Sequence, residues 1–341
     1  MNSASLSTTA TLGEGLNCPL LDFDHIPLID IAPLIDDSDP QTVADAIGTA
    51  CRDIGFLYIK NHSVPIALVQ AIFAQAEIFF AQAEADKLQC HIKNSPAHRG
   101  YFPLFEENTD PNFTADLKEG FDLARDLAAD HPAVVAGIPL HGSNVWPADM
   151  PEFRAVTEAY YQAMQALAAK LMQAFALALD LRPEFFADKI DQALAQLRLL
   201  HYPPQAGHIE QHTLGCGAHT DYGCLTILAQ DKVGGLQVQN AIGEWVSVPP
   251  LPDTFVINLG DQMARWSNGL FKATPHRVIN TSGLERYSLP FFFDPNWDAV
   301  IECLASCQDA EHPPQYAPVQ AGPYLLSRLQ ATFNYMEHPK Q

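Results

Sequence analysis

From Leu197 onward the chain is cut into short runs rich in β-branched and aromatic residues, each stopped by a turn. The runs are Leu197–Tyr202, Leu225–Ala229, Leu236–Val238, Trp245–Val248, Thr254–Asn258, Arg277–Asn280 and Arg286–Phe293, with Val233-Gly-Gly and Ile242-Gly among the separators. Runs this short cannot be amphipathic helices, so they predict strands packed face to face. Upstream the pattern is helical. Val43, Ile47, Ala50 and Ile54 fall on one face of a predicted helix over Gln41–Ile54. Pro65 opens a second helix through Phe80, a third runs from Pro151 to about Leu179, and Pro323–Phe333 closes the chain.

His25–Asp30 and Phe56–Lys60 read as two early strands, and the Pro-, Gly-, Asn- and Asp-rich segment Ala97–Pro147 as a loop over one end of the core. The expected fold is therefore mainly β with helical bracing: a β-sandwich or a double-stranded β-helix (jelly roll) core with N-terminal and central helices. The expected organisation is a flexible tail over 1–22, a helical N-terminal region over 23–196 and a β core over 197–341, together one catalytic unit.

Within the strand-rich half stand Gly217-Ala-His219-Thr-Asp221-Tyr-Gly223 and, with 54 residues between it and Asp221, His276-Arg-Val. Two histidines and a carboxylate in this order are the ligand set of a facial Fe(II) site, which leaves three positions open for chemistry. On an extended strand residues i and i+2 share a face, so His219 and Asp221 are expected to point together. Arg286 and Ser288 repeat that spacing on a later strand and offer a cation and a hydroxyl to a carboxylate. A His–Asp pair alone is more often a structural hydrogen bond; the ordered set with His276 and Arg286-Tyr-Ser288 favours a metal.

The net charge of −21 argues against nucleic acid or an anionic membrane as partner. Seven cysteines without a CxxC pair read as free thiols of a cytoplasmic protein. The first twenty residues lack a basic start followed by an apolar run, and no apolar stretch has membrane-spanning length. A small-molecule substrate is the expected partner, and the oligomeric state is left open.

With motifs and order in place, the chain resembles the isopenicillin N synthase-like group of Fe(II)/2-oxoglutarate-dependent oxygenases. The likeness runs through Ile26-Pro-Leu-Ile-Asp30, Gly55-Phe-Leu-Tyr-Ile-Lys-Asn61-His62, Tyr202-Pro-Pro, His219-Thr-Asp221, Gly234-Gly-Leu-Gln-Val, Asn258-Leu-Gly-Asp261, Ser267-Asn-Gly269, His276-Arg-Val and Arg286-Tyr-Ser288. It implies a dioxygenase that oxidises a small molecule with O2 while 2-oxoglutarate leaves as succinate and CO2. His219, Asp221 and His276 would be the iron ligands, Arg286 and Ser288 would hold the far carboxylate of 2-oxoglutarate, and Tyr202 would lie beside it. Ascorbate is a candidate reductant.

Two positions depart from many relatives: Leu200 replaces an Asn and His201 an aromatic residue. Arg198 shares a strand face with Leu200 and Tyr202, so it is a candidate contact to co-substrate or substrate. Phe291, Phe293, Tyr101 and Phe102 are further pocket candidates, the last two from the expected loop. Three other readings stay open. Isopenicillin N synthase-like oxidases work without 2-oxoglutarate, ethylene-forming enzymes fragment it, and a vestigial jelly roll would bind metal without catalysis.

Overall fold

The computed structural model describes residues 11–12, 16, 26–110, 115–205, 208–209, 214–333 and 336, so the expected tail over 1–22 falls almost wholly outside the described residues. Twelve strands carry the architecture. They are β1 (Leu28–Asp30), β2 (Phe56–Lys60), β3 (Gly100–Phe102), β4 (Glu119–Ala124), β5 (Leu194–Tyr202), β6 (Cys216–His219), β7 (Leu225–Gln230), β8 (Leu236–Gln239), β9 (Trp245–Ser247), β10 (Phe255–Leu259), β11 (His276–Val278) and β12 (Arg286–Asp294). Eight form one sheet in the order β1-β2-β10-β7-β12-β5-β4-β3, and four form a second in the order β9-β8-β11-β6. In the large sheet only the β1–β2 pair is parallel.

The large sheet has two different faces. Leu200, Tyr202, Phe56 and Val256 on one face pack with Cys216, Leu236, Val238 and Val278 of the small sheet. Leu197, Leu199, Leu289, Phe291 and Phe293 on the other face pack against helices. Those helices are α1 (Pro40–Asp53), α2 (Ile66–Phe80) and α3 (Pro151–Ala178). Asp39 caps α1 by accepting from the Thr42 N–H at 3.2 Å, with Pro40 at the position where a missing N–H costs nothing. Phe153, Tyr160, Met164, Leu167, Leu171 and Phe175 bury one stripe of α3. Two further helices, α4 (Asp261–Trp266) and α5 (Ala321–Thr332), flank the strands.

Sheet-on-sheet packing with helical bracing agrees with the jelly-roll expectation. Two details differ. The segment Ala97–Pro147 is not a plain loop, because β3 and β4 extend the large sheet through it. Gly120 permits that pairing: a Cβ there would lie 2.3 Å from the Phe102 ring. The N-terminal half thus contributes four strands, β1 to β4, to the large sheet. Among the described residues no single helix is long and apolar enough to cross a membrane.

Candidate metal centre and adjoining cavity

His219 ends β6 and His276 starts β11, and the two residues pair directly across the small sheet. Asp221 lies past the end of β6, in the turn, so plain strand alternation is not what brings it to His219. The turn does so instead: the Asp221 carbonyl accepts from the Asp261 N–H at 2.8 Å, and Gly260 packs against it where a Cβ would come within 2.7 Å. Asp221 Oδ1 then lies 3.7 Å from His219 Nε2 and 3.6 Å from His276 Nε2. One donor atom from each residue falls within 4.8 Å of the others.

The remaining atoms of the triad are tied down. His219 Nδ1 donates to the Gly217 carbonyl at 2.8 Å and His276 Nδ1 to the Thr274 carbonyl at 3.2 Å. Each bond fixes its ring so that Nε2 points toward the common centre. Asp221 Oδ2 accepts from Asn258 Nδ2 at 2.5 Å and from the Thr226 hydroxyl, which leaves Oδ1 for the centre. Burial opposes a charge on His219, yet the Cys216 sulfur and Asp221 hold its pKa up, to about 10. Burial and the neighbouring His219 charge push His276 down to about 4. The metal-free triad thus retains a proton that a divalent ion would displace. Two neutral imidazole nitrogens and one carboxylate oxygen, held from behind, fit Fe(II).

The cavity beside the triad, about 110 Å³ in volume, runs between the two sheets. Arg286 lines one end and is 1% exposed. Its Nε donates to the Gly234 carbonyl, its Nη2 to Gln230 Oε1 at 3.2 Å and its Nη1 to Ser288 Oγ at 3.4 Å. The guanidinium lies 4.6 Å over the Tyr202 ring. Gly234 and Gly235 both take positive φ, +81° and +100°, and a Cβ on Gly235 would lie 2.7 Å from the Ile279 carbonyl. This turn carries the Gly234 carbonyl to the arginine. Among the described residues Arg286 has no carboxylate partner, so a buried cation faces the cavity ready for an anion.

The structure redistributes the other candidates. Arg198 does line the cavity, but its charge is already matched. Its Nε and Nη2 meet Asp122 Oδ1 and Oδ2 at 2.8 Å each, and its Nη1 meets both Glu107 oxygens at 2.9 Å. Phe291 and Phe293 are not cavity residues; they face the helices. Alternation from Arg286 along β12 explains this, since it sends Ser288, Pro290, Phe292 and Asp294 to the cavity. Tyr101 points to the helix face, where its hydroxyl donates to Glu119 Oε2 at 2.5 Å. Phe102 belongs to β3 and packs beneath Arg198, ring centroid 5.0 Å from the guanidinium, rather than covering a cavity mouth.

Sequence reasoning missed several lining residues: Glu107, Lys118, Tyr222, Phe292, Asp294 and Leu329. Phe292 and Asp294 carried a usable signal in the period of two from Arg286. His201 was also passed over. Its Nδ1 lies 2.7 Å from Glu119 Oε1 and its Nε2 2.5 Å from Glu285 Oε2, with the ring stacked between Phe80 and Tyr287. It therefore stitches β4, β5 and the start of β12 directly behind the Arg286–Tyr202 pair.

Comparison with known proteins agrees with this geometry. Residues 26–149 match the family described as non-haem dioxygenase in morphine synthesis N-terminal, and residues 193–295 match the 2OG-Fe(II) oxygenase superfamily. The chain is 38% identical over 300 residues to the 2-oxoglutarate-Fe(II) type oxidoreductase hxnY of Emericella nidulans, covering 86% of each protein. It is 36% identical to homoarginine-6-hydroxylase 2-ODD-C23 of Glycine max, covering 83% of this chain and 89% of that one. The crystal structure of a full-length Neurospora crassa protein in complex with alpha-KG superposes with a TM-score of 0.79 at 30% identity, over 93% of this chain and 99% of that one.

Proposed function

The chain belongs to the 2OG-Fe(II) oxygenase superfamily, and from that premise we propose how its own residues divide the work. The protein is a 2-oxoglutarate-dependent dioxygenase that oxidises a small molecule. His219, Asp221 and His276 would hold the iron, with Nε2, Oδ1 and Nε2 turned to the common centre. Asn258 and Thr226 keep Asp221 in its one-oxygen orientation. When bound, Fe(II) supplies the activation of O2, with 2-oxoglutarate consumed to succinate and CO2.

Arg286 and Ser288 receive the far carboxylate of 2-oxoglutarate, over the Tyr202 ring. Leu200, Leu228, Leu236 and Val278 line the cavity and give it an apolar wall. Leu200 replaces with packing a polar contact that many relatives make through Asn. We place the chain in the isopenicillin N synthase-like group, as one integrated catalytic unit with a cytoplasmic setting. The six described cysteines, all free thiols, support that setting.

The single observation that carries the reading is the buried Arg286 cation, without a carboxylate partner among the described residues, in the same cavity as the triad. It calls for a bound carboxylate, and the 2-oxoglutarate-dependent relatives favour 2-oxoglutarate in that place over the carboxylate of an oxidase substrate. The test is anaerobic protein with Fe(II) and 2-oxoglutarate, which is expected to show a weak visible charge-transfer band. The band should vanish in Asp221→Ala and need far more 2-oxoglutarate in Arg286→Ala. An Arg286→Ala titration indistinguishable from the unaltered protein would reject the assigned site, and turnover without succinate would reject the co-substrate.

A further inference from the structure

Among the described residues the cavity holds three Lys or Arg cations: Lys118, Arg198 and Arg286. Arg286 is committed to the co-substrate in the reading above, on which this inference rests. Lys118 is saturated, with Nζ 2.7 Å from Asp116 Oδ2, 3.0 Å from Glu107 Oε2 and 3.2 Å from Cys216 Sγ. Every guanidinium nitrogen of Arg198 is bonded to Asp122 or Glu107. Both Glu107 oxygens are taken by these same two cations. A substrate carboxylate entering here would find none of these cations free to meet it, and burying it would be costly.

Two lining side chains keep an unmatched acceptor oxygen. Asp294 is 3% exposed and lines the cavity. Its Oδ1 accepts from the Cys224 N–H at 2.9 Å, and among the described residues its Oδ2 has no partner. The carboxyl lies directly over Gly223, where a Cβ would fall 1.4 Å from Oδ1, so glycine is required for this placement. Gln196 turns its amide nitrogen to Asp122 Oδ2 at 2.7 Å, which leaves its carbonyl oxygen without a partner among the described residues. Gln196, Phe292 and Asp294 sit along β5 and β12 at the end of the cavity away from Arg286.

We propose that the substrate presents an N–H donor, in its simplest form a protonated amine, which Asp294 Oδ2 receives at the end of the cavity opposite Arg286, and that acids lacking such a group are excluded. Asp294 is then a specificity-determining residue. A charge-assisted bond to a buried carboxylate is stronger than a neutral one, and removing its partner leaves an amine buried without compensation.

The test uses the full chain with Fe(II) and saturating 2-oxoglutarate under anaerobic conditions, so that the Arg286 site is filled. Hexylammonium, hexanoate and 1-hexanol are compared by calorimetry. Hexylammonium should bind at least about tenfold more tightly than hexanoate. Asp294→Asn keeps the shape and the Cys224 bond, and it should bring hexylammonium close to 1-hexanol. Gly223→Ala, which displaces the same carboxyl without removing it, should do likewise. Equal or tighter binding of hexanoate, no binding of hexylammonium, or full hexylammonium affinity in Asp294→Asn each overturns the proposal. The visible band before any probe is added reports separately on the co-substrate reading. Its absence would count against that reading and leave the calorimetric ranking of amine over acid legible.

Discussion

Asn258 donates to Asp221 Oδ2 at 2.5 Å and so decides which oxygen of the carboxylate faces the two imidazoles. Asn258 sits on β10 and Asp221 in the turn after β6, so the bond ties the centre of the large sheet to the metal-binding turn.

Asn258→Ala should therefore weaken Fe(II) binding by about 10–100-fold, the usual effect of deleting a residue that orients a metal ligand. Competition against a chelator of known affinity measures this. Unaltered affinity would mean that Thr226 alone orients Asp221.

Arg286→Lys keeps a positive charge but loses the planar fork. Charge-assisted hydrogen bonds contribute about 1.5–3 kcal/mol, so the affinity for 2-oxoglutarate should fall by roughly 10–150-fold. The charge-transfer band, titrated with 2-oxoglutarate, reads the loss. Retained affinity would show that charge alone suffices.

His201→Phe preserves the ring stack between Phe80 and Tyr287 while deleting the bonds to Glu119 and Glu285. The Glu285 side chain is 53% exposed, so that arm contributes less than the buried arm to Glu119. The expected result is a rise of several-fold in KM for 2-oxoglutarate with kcat nearly kept, because the stitch lies behind the Arg286–Tyr202 pair. A fall in melting temperature with no change in KM would make His201 a purely structural residue.

Burial pushes the Asp294 carboxyl up to about 7, with the Asp221 charge adding to it against the bond from Cys224. The folded protein then binds this proton more tightly than the unfolded chain. Its contribution falls as pH rises from about 4 to about 7 and is level above that. Asp294→Asn removes the slope and should stabilise the metal-free protein above pH 7 by an amount on the order of a few kcal/mol. Urea unfolding at several pH values tests the sign. Parallel curves for the two proteins would refute it.

Phe291 and Phe292 are neighbours with opposite tasks. Phe291 is fully buried against the helices, so Phe291→Ala should cost about 3–5 kcal/mol of stability. Phe292 lines the cavity, so Phe292→Ala should change substrate-stimulated succinate release with a much smaller loss of stability. Denaturation and turnover measured on both variants decide it, and the reverse pattern would contradict the assigned faces.

Much of the site was legible because its chemistry sits in short local motifs. His219, Asp221, His276, Arg286 and Ser288 announce themselves by residue type and order, and period two carries Arg286 to Ser288 and on to Phe292 and Asp294. The same rule, applied to Phe291 and Phe293, would have sent them to the helices. Asp221 was found for a partly wrong reason, since a turn and not a strand delivers it. Arg198 was placed in the cavity correctly, yet its availability was not readable. The carboxylates that consume it, Asp122 and Glu107, stand 76 and 91 residues away in the chain.

The sequence by itself determined most of the helices and strands, the family and the candidate ligand types, because strand period, turn glycines and motif order are local properties of the chain. Tertiary structure alone decided which charges remain free. Whether a buried cation or carboxylate is available depends on partners brought from distant strands, and burial makes that matching count. Arg198 and Arg286 are the same residue type on adjacent strands facing one cavity. One is neutralised by Asp122 and Glu107; the other has no carboxylate partner among the described residues, and that difference separates a wall from a binding site.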